Sequence, residues 1–253
     1  MRQRQSGSTL TIARLLFRAN LRSRHRRMLL GYAWLAIPGL VLALTFTLLR
    51  KGALIVTEET VLPYPLFVLS GMFLWQSLSD AISLPIQQLN QQRRFLSLVP
   101  APFQAVLVAA LGEVLLNLAV RMTILAAAML AFGVHPAASW LLVPIVGIGM
   151  VGFGFATGLV VAPFAQLFDD VVTLTTMAVT FAMLVSPVLY PIPPDSLLAL
   201  NPLTGPLMNA RDWMAGVPAS ASVLPLAVLT MALLGPGWLL NVISRPHIAA
   251  RAH

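Results

Sequence analysis

Six apolar stretches of span length recur along the chain, separated by short polar segments. A bilayer's hydrocarbon core, about 30 Å thick, takes roughly 20 consecutive apolar residues as a helix. The stretches are Leu29–Leu49, Leu62–Leu84, a part of Phe103–Phe132, Trp140–Phe164, Val171–Tyr190 and Val223–Ile243. The third covers 30 residues, which as a helix is about 45 Å and so predicts tilt or a start within the interface. Composition closes off the alternative of a soluble fold. Charged residues make up 9% of the chain and apolar types 58%. An ordinary soluble domain carries about 25% charged residues. A chain of 253 residues with so few has nothing to coat a water-facing surface. The reading is an all-α membrane protein with six transmembrane helices.

Between the fifth and sixth spans lies a Pro-rich stretch from Pro191 to Ser222. Its two moderately apolar pieces, Ser196–Leu200 and Leu203–Ala215, are too short to cross and suit re-entrant or interfacial helices. Before the first span, Leu10 to Arg22 predicts an amphipathic interfacial helix. Arg14, Arg18 and Arg22 recur every four residues, with Leu10, Ala13, Phe17 and Leu21 on another face. Such a helix lies well in an anionic membrane interface. The chain thus divides into an interfacial segment 1–28, a transmembrane domain 29–243 and a tail 244–253.

Placement of the basic residues sets the expected orientation. Eight of the 16 basic residues fall within the first 27 positions. With the N-terminus inside, Arg93, Arg94, Arg245 and Arg251 join them, making twelve inside against three outside (Arg50, Lys51 and Arg211). This positive-inside bias predicts cytosolic N and C termini. The same clustering beside a span, with no basic stripe on a soluble fold, argues against nucleic acid as a partner. No cysteine is present, which removes disulfides and thiolate chemistry.

Few motifs point to chemistry inside the chain. Gly147-Ile148-Gly149-Met150-Val151-Gly152 matches G-x-G-x-x-G, but it sits within an apolar span with no strand before it, so the dinucleotide reading fails its context test. Helix packing explains it and the neighbouring Gly154 and Gly158 better. No G-x-x-x-x-G-K-[ST] phosphate loop occurs, and His25, His135, His247 and His253 share no helical spacing with one another or with a carboxylate; neither ATP hydrolysis nor a metal site is expected. Within the third span Glu113, Asn117 and Arg121 are spaced four apart and share one helix face. Charge in a membrane is costly, so that face points into protein or water. It reads either as the lining of a translocation path or gate, or as a network tying this helix to its neighbours. Glu113 and Arg121 lie about 12 Å apart along the helix and cannot pair directly. Asp169-Asp170 marks the tight turn before the fifth span, where acidic groups favour a helix N-terminus or meet a cytosolic partner.

Several stretches, taken in order, resemble the membrane subunit of ABC-2-type transporters, especially the polysaccharide and polyol-phosphate exporters of O-antigen, capsule and teichoic-acid type. Leu30-Gly31-Tyr32-Ala33-Trp34, with Pro38 after it, looks like the start of that family's first span. Gly71-Met72-Phe73-Leu74-Trp75 looks like its G-x-x-x-W, and Asn90 through Pro100 like the segment after span two. Asp170, Ser186-Pro187-Val188-Leu189-Tyr190-Pro191, Leu200-Asn201-Pro202-Leu203-Thr204 and Arg211 follow in the family's order and spacing. Asp169 departs from the pattern, standing where the family usually has Arg, and Pro100-Ala101-Pro102 is richer in Pro than usual.

The resemblance implies a homodimeric pore in a bacterial cytoplasmic (inner) membrane, with two separate ATPase subunits docked from the cytosol and carrying the ATP and Mg; this chain itself holds no cofactor and is not an enzyme. It implies a coupling segment at about Gln91–Pro100, with Arg93, Arg94, Phe95, Leu96 and Pro100 as contacts and Asp169 and Asp170 nearby. It implies re-entrant helices carrying Asn201, Pro202 and Arg211. Trp34, Phe73, Trp75, Phe181 and Tyr190 are candidates to stack on sugar faces in the pore, beside Glu113, Asn117 and Arg121; ordinary packing and interfacial belts are the competing reading for the aromatics. The expected function is export of a polysaccharide, lipid-linked or not. The alternatives are an ABC-2 permease for a drug or small lipid and, in a different class, a membrane enzyme or assembly protein without transport.

Overall fold

The computed structural model describes the backbone at residues 2–27, 33–52, 60–95, 102–192 and 196–250, and side chains within 9–22, 33–52, 60–91, 102–192 and 196–244. Among the described residues there are eight α-helices, two 3₁₀ turns and no strand. This is what lipid demands of a chain that must satisfy its backbone polar groups internally. The helices are α1 (Arg2–Arg27), α2 (Ala33–Lys51), α3 (Tyr64–Phe95), α4 (Phe103–Ala131), α5 (Val143–Leu167), α6 (Asp170–Leu184), α7 (Thr204–Met214) and α8 (Leu224–Ala250). The 3₁₀ turns are Ala138–Leu142, leading into α5, and Leu197–Leu200, before α7.

Among the described residues, five helices are long and apolar enough to cross a membrane: α2, α3, α4, α5 with its leading turn, and α8. The fifth apolar stretch folds shorter than its sequence suggests. Val171–Tyr190 reads as one span, but α6 stops at Leu184 after 15 residues. Ser186 and Pro187 set the stop. The Ser186 hydroxyl donates to the Ala182 carbonyl, and Pro187 has no N–H to continue the ladder and disfavours a helical residue before it.

The most buried of the span-length helices is α3, wrapped by α2, α4, α5 and α7. Phe73, Leu74, Leu66, Val68 and Leu78 are inaccessible or nearly so. The outer helices are inverted in character: Leu44 and Leu48 of α2, Ile145 and Ile148 of α5, and Val228, Met231 and Leu239 of α8 stay exposed. Apolar exposure on this scale marks a surface whose solvent is lipid. Glycine lets α5 seat on α3. A Cβ at Gly154 would come 2.6 Å from the Leu78 carbonyl oxygen, and one at Gly158 2.6 Å from that of Ile82. The G-x-x-x-G spacing therefore works as a close helix crossing.

α1 runs along α4. It packs through Ala13, Leu16 and Phe17, with Phe17 against Gly112. The expected apolar face is thus split: Ala13 and Phe17 meet α4, whereas Leu10 remains 64% exposed.

Candidate functional site

Polar residues gather in three places along α3. The first lies between α3 and α4. Glu113, Asn117 and Arg121 are all buried, and each finds a partner on the facing helix. The Arg121 Nη2 bonds Asp80 Oδ2 at 2.8 Å, and Nη1 donates to the Ser77 hydroxyl at 3.3 Å. Asn117 Nδ2 donates to the same Asp80 oxygen at 3.1 Å. Gln88 Nε2 donates to Glu113 Oε2 at 2.9 Å. The two helices are antiparallel, so the order 77, 80, 88 on α3 answers 121, 117, 113 on α4. Glu113, Asn117 and Arg121 therefore face α3, where they form a tie between helices. Nothing in the sequence reading links Asp80 to that stripe. The signal was present: Ser77, Asp80 and Gln88 recur at helical spacing on one face of α3.

The second place is the end of α3 where that helix begins. Arg211 of α7 is 3% exposed. Its Nη1 donates to the Pro187 carbonyl at 2.6 Å. Its Nη2 donates to the Val188 carbonyl at 2.9 Å and the Phe67 carbonyl at 3.2 Å. The guanidinium carbon stands 3.5 Å above the Phe67 ring centroid, a cation–π contact in a dry setting. Burial pulls the guanidinium down to about 9, with Asp212 and then Tyr64 acting against the shift, so it remains charged at neutral pH. Gly71 is required here, because a Cβ would collide with Arg211 Nη2 and come 2.5 Å from the Val188 carbonyl oxygen. Asn201 Nδ2 donates to the Ser186 hydroxyl at 2.9 Å, and its Oδ1 accepts from the Leu203 amide at 3.0 Å, with Pro202 half-buried between them. The stretches holding Gly71, Ser186-Pro187-Val188, Asn201 and Arg211 are thus brought to one knot.

Other bonds lock α7 into that knot. Asn209 exchanges two hydrogen bonds with Ala221, and Ser220 donates to the Asp212 carboxylate. Ser139 Oγ and Trp140 Nε1 donate to the Trp213 and Met214 carbonyls at 2.6 and 2.9 Å, which serves the C-terminal carbonyls that a helix leaves open. Tyr64, whose hydroxyl donates to the Leu189 carbonyl at 3.1 Å, carries Arg50 4.8 Å over its ring. Tyr64, Phe67 and Asn209 escaped the sequence reading, since nothing in their spacing separates them from ordinary packing residues. A cavity of about 90 Å³ opens beside Arg211, bounded by Thr60, Phe67, Met208 and Asp212 among others; that is room for a few waters.

The third place is the opposite end of α3. Asn90 Nδ2 donates to the Ala165 carbonyl at 3.2 Å, pinning the helix to the end of α5 just before the Asp169-Asp170 turn. Asp169 and Asp170 are exposed. Asp169 makes no side-chain capping bond, and Asp170 lies in the first turn of α6, where its charge suits the helix dipole. Arg93, Arg94 and Phe95 continue α3 as helix. Leu96 and Pro100 lie outside the described residues. From Phe67 to Asn90 is about 35 Å of helix, so the Arg211 knot and the Asn90–Ala165 bond sit at opposite ends of the bundle.

The aromatic candidates separate. Phe73 and Trp75 are buried in the chain's own core, Phe73 against Gly39 of α2, and so are not on a free face. Tyr190 is half-buried and donates its hydroxyl to the Leu184 carbonyl. Trp34 and Phe181 are 52% and 66% exposed.

Comparison with known proteins identifies the family. Residues 12–200 match the family described as ABC-2 type transporter. The chain is similar to a protein named O-antigen export system permease protein RfbA from Myxococcus xanthus, at 22% identity over 228 residues, covering 87% of this chain and 86% of that protein. A protein of the same name from Klebsiella pneumoniae is 22% identical over 205 residues, 78% of each chain. With most of its length matched and its helices built to cross a bilayer, the chain belongs to the ABC-2 type transporter membrane family.

Proposed function

We propose that this chain is the permease of an ATP-driven exporter that moves a polysaccharide, in lipid-linked form, across the bacterial cytoplasmic membrane. Two copies form the pore, and separate ATPase subunits supply ATP and Mg from the cytosol. The observation that carries the proposal is similarity over 78% and 87% of the chain to permeases named for O-antigen export.

Six crossings with both termini cytosolic fit the bond geometry. Ala165 is held at one end of α3 and Pro187 at the other, so the chain between them traverses the bundle although α6 is only about 22 Å long. The segment after Leu184 completes the crossing. On this reading α7 and the Leu197–Leu200 turn are the re-entrant elements of the outer leaflet. The α3 extension with Arg93, Arg94 and Phe95 forms, beside the Asp169-Asp170 turn, the seat for the ATPase. Both ends of α3 are anchored, to α5 through Asn90 and to α7 through Arg211. A displacement applied at its cytosolic end is thereby delivered to the outer knot through one rigid, buried helix. α6 has no buried residue and offers Phe181 on an open face to the second copy and the passing polymer.

Affinity purification in mild detergent tests this directly. A stoichiometric ATPase subunit should accompany the chain, with hydrolysis only in the complex. Cells lacking the chain should retain polymer on the cytosolic side. Hydrolysis by the isolated chain, or unchanged surface polymer in the deletion, would sink the proposal. Resistance to a drug lost in the deletion, with polymer unaffected, would shift the substrate class to small molecules.

A further inference from the structure

We infer that the cavity beside Arg211 is a binding site for a phosphate group, carried by a phospholipid headgroup or by free phosphate. Nothing in the export reading requires such a site, and the site stands without that reading. Arg211 spends three of its five N–H groups on carbonyls. Its Nε is buried and has no hydrogen-bond partner among the described residues. The same side chain, 3% exposed, lines the cavity. The other walls are mostly apolar, with Phe67, Pro191 and Met208 among them. Thr60 also lines it, but its hydroxyl already donates to the Leu62 carbonyl. Arg211 is therefore the side-chain donor left for a guest.

Charge and size select the guest. Arg50 lies over Tyr64, Tyr64 stacks on Phe67 with ring centroids 6.2 Å apart, and Arg211 lies over Phe67. Two guanidiniums thus share one run of rings, and among the described residues neither has a carboxylate within ion-pair distance. Asp212 is the one acid lining the cavity, and its Oδ2 is taken by the Ser220 amide and hydroxyl. Two positive charges against one negative favour an anion, since an unpaired buried charge is costly. A cavity of about 150 Å³ holds benzene, so one of about 90 Å³ takes a small oxyanion and not a sugar ring. Val61, 59% exposed, puts the rim at the surface. That rim stands beside the start of α3, a helix of span length, and so at the level of the headgroups, where phosphate is the abundant oxyanion.

The full chain, purified in neutral detergent and stripped of lipid, is melted against inorganic phosphate and against dihexanoyl phosphatidylglycerol, with sodium chloride at matched ionic strength as the reference. A ligand that binds the folded chain raises the unfolding midpoint as its concentration grows. At least one of the two probes should do so beyond chloride. A response to the lipid alone, or at lower concentration than to phosphate, assigns the site to a headgroup; otherwise it belongs to free phosphate. Met208→Trp fills the cavity without removing an Arg211 bond and should abolish the response. Asp212→Asn removes the opposing charge and should tighten binding about threefold or more, an effect that a purely structural Asp212 would not give. No response to either probe, a response that survives Met208→Trp, or unchanged affinity in Asp212→Asn overturns the inference. So does a response that appears only when Glu58, Glu59 and Asp195, which stand within three residues of Thr60 or Ile192 in the sequence, are all replaced by Gln, since the cavity would then belong to the chain's own carboxylates.

Discussion

Arg211 concentrates more constraint than any other side chain in the described residues, because three carbonyls from two separate segments converge on one buried guanidinium. Removing it leaves the Pro187 and Val188 carbonyls without that donor in a dry site, while the Phe67 carbonyl keeps the Ser70 hydroxyl. Arg211→Ala should therefore cost about 3–5 kcal/mol, read as a large fall in the unfolding temperature in detergent. Arg211→Lys should recover little, since an ammonium lacks the planar fork that reaches Pro187 and Val188 together. An unchanged midpoint would show that the knot forms without this residue. The Asp80–Arg121 pair gives a second case. Asp80→Asn alone leaves a buried cation with a weaker partner and should destabilise strongly. Combining it with Arg121→Gln should cost much less than the sum of the two singles, a coupling of about 1–3 kcal/mol in a double-mutant cycle. Export retained by the double variant would mark the pair as a tie between α3 and α4. Export lost at full stability would return it to the gate.

At the scale of elements, α3 and α5 define the bundle, and their seat depends on two missing side chains. Gly158→Leu must push α5 away from the Ile82 carbonyl, and the resulting overpacking should lower stability by about 1–3 kcal/mol or more. Gly149→Ala serves as the control, because a Cβ there meets only the Leu226 side chain at 3.8 Å. Equal behaviour of the two variants in a detergent melt would contradict the crossing. These elements were largely legible in the sequence. Span-length apolar runs locate the starts of α3, α4, α5 and α8 to within three residues, since lipid leaves the backbone little choice but helix, whereas α3 continues to Phe95 and α8 to Ala250, well past the apolar runs that end at Leu84 and Ile243. The stop of α6 at Leu184 was harder to read. Apolar composition continues to Tyr190, and only Ser186-Pro187 betrays the break. The functional residues divide the same way. The polar stripe on α4 was visible because charge inside a span is anomalous. Its partners Ser77 and Gln88 were not, because uncharged polar residues within an apolar run carry little signal alone. The convergence of Gly71, Ser186, Asn201 and Arg211 depends on tertiary contact across 140 residues of chain (Gly71 to Arg211), which no local pattern encodes.

For the whole molecule, the proposed function requires that an event on a cytosolic partner reach the outer side. α3 begins at the Arg211 knot, is tied at its middle to α4 by Asp80 and Arg121, and ends in the basic pair Arg93-Arg94 beyond the Asn90–Ala165 bond. A helix held at so many points moves as a body, so charge reversal at its tip should leave packing intact and change only what docks there. Arg93→Glu with Arg94→Glu should therefore give protein with the parent's unfolding midpoint and the parent's yield in membranes, yet without copurifying ATPase and without export. Removing charge alone, with Gln at both positions, should weaken the complex less than reversal does, because reversal adds repulsion to the lost attraction. The comparison is made by quantifying ATPase against permease in the purified complex at low and high salt. A graded loss from parent to Gln to Glu, steeper at low salt, is the expected pattern. Normal ATPase recovery in the Glu variant would place the docking face elsewhere, with the exposed Asp169-Asp170 turn on the same side of the bundle as the next surface to reverse.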